Sequence, residues 1–160
     1  MASKPLIKSF AYTAEVIRQQ VSEFSPSETL MQPFEGSHSI NWLLGHILSS
    51  RSFPLKLLGE AQVWDEESRA RYRDGSSPVG AEGPGVMPVG KLMTLFEVSQ
   101  DRLVAALGRM PAERLGEPSG YAGNSVLDSL LYFYFHETYH VGQMTMVAEL
   151  LGKQAKYLRS

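Results

Sequence analysis

Four histidines carry most of the chemistry in this sequence: His38, His46, His136 and His140. His136 and His140 are four residues apart. On an α-helix four residues turn about 400°, so both rings leave the same face, one turn apart. Two imidazoles so placed can share one metal ion. They fall on a stripe with Phe133, Met144 and Val147, and His46 falls on another with Leu43 and Ile47. Three imidazoles directed into one apolar core are costly unless each finds a partner. A shared divalent ion would satisfy all three. The alternative is that each ring bonds a backbone carbonyl or a buried polar group. His38 sits at the start of its segment, where a capping or surface role is expected.

Three neutral imidazoles would leave coordination positions open, the mark of a catalytic rather than a structural zinc-type site. An open position takes water or a thiol, and the ion lowers the proton affinity of either, so hydrolysis and thiol transfer are two uses of one device. Imidazole suits zinc, nickel, iron or copper. HETYH (136–140) also matches the H-E-x-x-H signature of zinc proteases, in which Glu137 would be the general base. That reading lacks support elsewhere in the chain. No histidine follows His140, the one later glutamate is Glu149, and no strand pattern is present to align a peptide. Glu137 lies next to His136, so it points about 100° around the helix, toward solvent or another helix.

The elements that must position these residues read as helices. Leu6, Phe10, Ala14, Ile17, Val21 and Phe24 recur at three- and four-residue steps, predicting a first helix from about Pro5 to Phe24. A second runs from the serines around His38 to about Gly59. Pro54 inside it predicts a kink, or two helices meeting near Phe53. Residues 75–90 hold five glycines and three prolines, so 60–87 reads as a long connection, with a short helical turn around Asp65–Tyr72. A third long helix spans about Val89–Leu107. Ser125 and Asp128 form a capping-box pattern that opens a fourth, ending at Leu151 before Gly152. Met144 and Met146 read as packing. No segment alternates as strands do, so the fold class is all-α, a four-helix bundle.

Composition narrows the partners. The 160 residues, 43% hydrophobic and 20% charged, fit a single domain over 1–160 with a core of its own. Fifteen Lys and Arg against seventeen Asp and Glu give a formal charge of −2, which argues against nucleic acid and against polybasic membrane attachment. The absence of cysteine excludes disulfides, thiolate metal sites and cysteine nucleophiles, and fits a reducing cytoplasm. No stretch is long and apolar enough to span a membrane, and the N-terminus lacks a secretory apolar run.

SINWLLGHIL (39–48), followed late in the chain by HETYHVGQM (136–144), resembles the DinB-like family of metal-binding four-helix bundles, also called YfiT-like. The similarity covers nearly the whole chain in helix number, helix length and histidine order. It implies an up-down-down-up bundle with the long 60–87 crossover between helices two and three. It implies one divalent metal on His46, His136 and His140, completed by water, with zinc or nickel expected first and iron next. It also implies a homodimer, and a small-molecule reaction such as thiol-dependent transfer with a low-molecular-weight thiol. A metal-dependent hydrolase, or a bundle whose ion only stabilises it, is the alternative. Beside the histidines, Gln143, one turn beyond His140, is placed to orient a ligand or water, and Trp42, one turn before His46, to wall the cavity. Tyr132, Tyr134 and Tyr139 surround the motif, and nothing selects one of them as a proton donor.

Overall fold

The computed structural model describes residues 3–156. Four long helices dominate: α1 (Lys4–Val21), α2 (Ile40–Leu57), α4 (Val89–Arg109) and α5 (Val126–Leu150), with a short α3 (Glu66–Ala70) in the crossover. Single 3₁₀ turns lie at Glu28–Leu30 and Ala112–Gly116. No strand occurs among the described residues; there is one isolated bridge, Pro118 with Ser125. The termini follow local chemistry. Pro5 sits in the first turn of α1, where its missing N–H is not needed. The Ser39 hydroxyl accepts from the Trp42 N–H to open α2, and Ser125 and Asp128 form the expected capping box on α5. Gly59 and Gly152 take positive φ just beyond α2 and α5.

Side-chain partners give the direction of every helix. Thr13 meets Glu137, and farther along Gln20 meets the backbone of Gln154 and Lys156, so α1 and α5 run parallel. Asn41 bonds the Met87 carbonyl and Arg51 reaches Ser99, so α2 and α4 run parallel. His46 lies beside His140 while Phe53 stacks on Phe133, so α2 and α5 are antiparallel. Arg18 pairs with Glu97 while Phe10 shares a core cluster with Leu103 and Leu107, so α1 and α4 are antiparallel. The order is up-down-down-up. α1 and α2 each pack against both α4 and α5.

The core has two apolar halves. One gathers Ile17, Leu43, Ile47, Tyr72, Phe96 and Met144; the other gathers Leu6, Phe10, Leu55, Leu103, Leu107 and Leu130. Between them each long helix contributes one polar side chain: Thr13, Arg51, Ser99 and Glu137, all buried. Arg51 holds Glu137 through two bonds, Nε to Oε2 at 2.7 Å and Nη2 to Oε1 at 2.8 Å. Its Nη1 donates to Ser99 Oγ at 3.0 Å, and Thr13 donates to Glu137. The guanidinium also lies 4.1 Å from the centre of the Phe96 ring. Four helices are thus tied at one level by a charge-assisted network.

Several local expectations need correction. α1 ends at Val21; Phe24 is buried beyond it, held by a turn bond to the Val21 carbonyl. α2 runs through Pro54 as one helix, because the helix closes at Leu57, one turn later, and the missing N–H costs a single bond near its end. Met146 is exposed rather than packed, and so are Leu131, Phe135, Tyr139 and Leu150 on the same helix. The crossover is less loose than its composition suggests: Tyr72, Val79 and Met87 are buried in the core. No helix among the described residues is long and apolar enough to cross a membrane.

Candidate metal centre

α2 supplies His46, and α5 supplies His136 and His140, one turn apart. The antiparallel packing of these helices brings one ring nitrogen of each histidine within 4.8 Å of the other two. Two hydrogen bonds decide which nitrogens face inward. His46 Nδ1 lies 2.8 Å from the Tyr72 carbonyl, and a carbonyl only accepts. That assigns the His46 proton to Nδ1 and the lone pair to Nε2. His140 Nδ1 lies 2.7 Å from Gln143 Oε1, which likewise leaves Nε2 unprotonated. His140 Nε2 then stands 3.2 Å from His136 Nε2. Two nitrogens each about 2.05 Å from one tetrahedral ion must lie about 3.3 Å apart. The spacing fits that requirement. His136 Nδ1 is buried without a partner.

The electrostatics suit cation binding. His46 and His140 are buried and His136 is half-buried. Burial pushes the proton affinity of all three rings down, His140 to about 4. The rings therefore stay neutral near pH 7, the state in which imidazole ligates a metal. Positive charge on one ring further opposes it on the others: His46 lowers both His136 and His140. Two groups work against burial at His46, the Tyr72 carbonyl and the carboxylate of Asp74.

The surroundings are built on α2. Trp42 stacks on His46, with ring centres 4.7 Å apart and planes within 7°. Trp42 Nε1 donates to Ser76 Oγ at 3.0 Å. His38 is not at the surface: it is half-buried, stacks on the far side of Trp42 at 3.6 Å, and its Nδ1 has no partner. It stands outside the trio. Tyr139 sets its ring edge-on to His140 at 5.1 Å, while Tyr134 packs edge-on against Phe10. Tyr132 lies against Tyr121 and Phe133.

Glu137 points away from this centre. Its carboxylate is buried with Arg51 and Thr13, so it is not free to act as the base of a zinc protease. Its companion Arg51, and with it Tyr72 and Asp74, carry no local signal in the sequence. Gly45 gave a readable signal: a glycine inside a helix costs about 1 kcal/mol against alanine and asks for a packing reason. The reason is Tyr72. A Cβ on Gly45 would lie 2.2 Å from Tyr72 Cδ1, so only glycine admits the ring whose carbonyl orients His46.

A family model described as the DinB superfamily matches residues 9–144. The chain belongs to the DinB superfamily. The match spans α2 and α4 in full, most of α1 and α5, and all three histidines of the centre. The all-α bundle and the buried histidine cluster suit a DinB protein that binds metal. No curated protein matches the chain.

Proposed function

We propose that this chain is a metal-dependent enzyme acting on a small molecule, with one divalent ion held by His46, His136 and His140. The observation that carries the reading is the convergence of one ring nitrogen from each of three histidines within 4.8 Å, with the unprotonated His140 Nε2 3.2 Å from His136 Nε2, the spacing two ligands of one ion would have. Zinc or nickel is the first choice of ion and iron the next, since the donor set is all imidazole. Bound there, such an ion supplies Lewis acidity at an open position, where water or a thiol becomes more acidic.

The chain's own residues do the positioning. The Tyr72 carbonyl and Gln143 Oε1 each hold a ring proton away from the centre and so keep both Nε2 atoms available. Trp42 closes one side by stacking on His46. The Arg51–Glu137 pair keeps α2 and α5 in the register that brings the histidines together. A low-molecular-weight thiol is the proposed cosubstrate. Thiol-dependent transfer is the proposed reaction, ahead of hydrolysis. We place the protein in the cytoplasm, which its lack of cysteine suits. The exposed apolar row Leu131, Phe135 and Tyr139 on α5 supports a homodimer.

The test is elemental analysis of the tag-free protein beside His46→Ala and His140→Ala. About one equivalent of zinc, nickel or iron in the wild type, lost in both variants, is expected, because ligand removal should cripple binding. Thiol-transfer and hydrolase screens on the loaded protein then separate the two reactions. A folded wild type that holds no metal and refuses added divalent ions refutes the reading. A bound ion with no exchangeable position would make it a stabilising ion instead.

A further inference from the structure

Beyond the histidines, the same faces of α2 and α5 run on into a cavity of about 170 Å³. His136, His140, Gln143 and Val147 step by four, three and four residues along α5, so they share one face. On α2, Leu43 lies one turn before His46. The two helices are antiparallel, so both steps lead the same way, and Leu43, Gln143 and Val147 all line the cavity. It lies about one helical turn, roughly 5 Å, along the seam from the histidines. Two contacts tie it to them. Gln143 accepts from His140 Nδ1 at 2.7 Å, and His38, also on the cavity wall, stacks on Trp42 and through it on His46. The floor, Leu43 and Val147, is buried, whereas the rim of Phe34, Met146 and Leu150 is exposed. Phe34 is carried by a closed turn: Ser37 Oγ donates to its carbonyl at 2.7 Å and accepts from its N–H at 3.2 Å, and Gly36 takes a φ of +77°.

We propose that this cavity is the specificity pocket for the substrate, taking a neutral, ring-sized apolar group that lies about one helical turn from the atom offered to the metal. The proposal rests on the metal reading above. Size sets the first limit. A cavity of ~150 Å³ lined by Leu, Ile and Phe takes up benzene. At about 170 Å³ this one admits a six-membered ring or a short branched chain and little more. Charge sets the second. None of the described residues lining it is Asp, Glu, Lys or Arg, so a charged group would lose its hydration with nothing in return. Gln143 supplies one polar contact. Its oxygen is spent on His140, and its nitrogen reaches the Tyr139 hydroxyl only at 3.5 Å, which leaves an amide hydrogen to donate to an acceptor on the ligand. A buried apolar floor with few polar groups, open through an apolar rim, is the form of a small-molecule site.

The experiment titrates the cobalt(II)-loaded protein with propanethiol, phenylpropanethiol and mercaptopentanoate, reading the sulfur-to-cobalt charge-transfer band. The three share a thiol for the metal and differ at the far end. Phenylpropanethiol is expected to bind about tenfold to a hundredfold more tightly than propanethiol, the gain for burying an aromatic group. Mercaptopentanoate, with its charged end, should show no such gain. Phe34→Ser and Met146→Glu change the rim at exposed positions, so neither should unfold the bundle, and each should pull the phenyl advantage toward unity. Equal affinities for propanethiol and phenylpropanethiol in the wild type overturn the proposal. So does an advantage that survives both substitutions, including the case in which light scattering shows that Met146→Glu splits a dimer and the rim is an interface between two copies. A wild type that takes up no cobalt, or whose cobalt gives no band with propanethiol, overturns the metal reading itself, and the assignment of the pocket with it.

Discussion

Changing Glu137 to glutamine sets two readings of HETYH against each other. If Glu137 is a general base on a metal, Glu137→Gln should abolish activity and leave stability nearly untouched. The structure requires the reverse. Glu137 and Arg51 have side chains only 3% exposed each, joined by two bonds of 2.7 and 2.8 Å. Glutamine keeps one accepting oxygen and turns an amide against a guanidinium or the Thr13 hydroxyl. The guanidinium is then buried without a counter-charge. Removing one partner of a buried pair costs about 3–5 kcal/mol. In a domain of this size each 1 kcal/mol lowers the melting temperature by about 2–4 °C, so the expected drop is roughly 6–20 °C. Replacing both partners by apolar residues, Arg51→Met with Glu137→Leu, should recover most of it, since a well-packed apolar pair is often neutral or better. Thermal denaturation followed by circular dichroism reads the stability, and elemental analysis at 20 °C reads the metal, which Glu137→Gln should retain. A Glu137→Gln protein that melts within about 2 °C of wild type while losing metal-dependent turnover would refute the reasoning.

Two more predictions concern the support of the centre and its protonation. Gly45→Ala drives a methyl into the Tyr72 ring at 2.2 Å; the ring or the helix must move. We expect a stability loss of about 1–3 kcal/mol and a tenfold or greater loss of cobalt affinity as the Tyr72 carbonyl leaves His46. Wild-type affinity with a wild-type melting curve would show that the contact is slack. In chelator, the metal-free protein should lose stability on acidification. The rings titrate below their ordinary value of 6.5 when folded, His140 near 4, and near 6.5 when unfolded. Between those values the unfolded chain binds more protons, so the penalty is nil above about pH 6.5 and grows as pH falls toward 4. Urea midpoints at pH 7.5, 6 and 5 should fall in that order; a flat series would contradict buried neutral rings.

The helices were legible because α1 and α4 each bury one stripe at helical spacing, and because Ser125 and Asp128 announce the start of α5. The histidine trio was legible because His136 and His140 share a face. What the sequence hid are partners far apart along the chain. Arg51 and Glu137 are separated by 86 residues, and nothing local distinguishes a buried glutamate from a solvated one. α2 defeats face-reading altogether, since every residue from Ile40 to Ser49 is buried, polar ones included. Its neighbours on all sides, the crossover among them, decide that. His38 stands just ahead of the α2 cap and outside the trio as expected, but it is half-buried rather than at the surface, because a flat ring on Trp42 is a tertiary arrangement. Met146 shows the converse: periodicity marks it as apolar but does not tell which of two apolar faces the bundle covers.

The parallel pairing of α1 with α5 has a consequence for how the molecule is made. Synthesis delivers the first helix more than a hundred residues before the last, and neither α1 nor α2 has its full set of packing partners until both α4 and α5 have emerged. His46 leaves the ribosome long before His136 and His140, with only the crossover to shelter it. A bundle closed by its two terminal helices carries high-separation contacts, which are entropically late to form. The nascent chain should therefore stay open until its final helix docks. An ion held by the three histidines would then bind only once α5 has docked, completing the bundle rather than templating it.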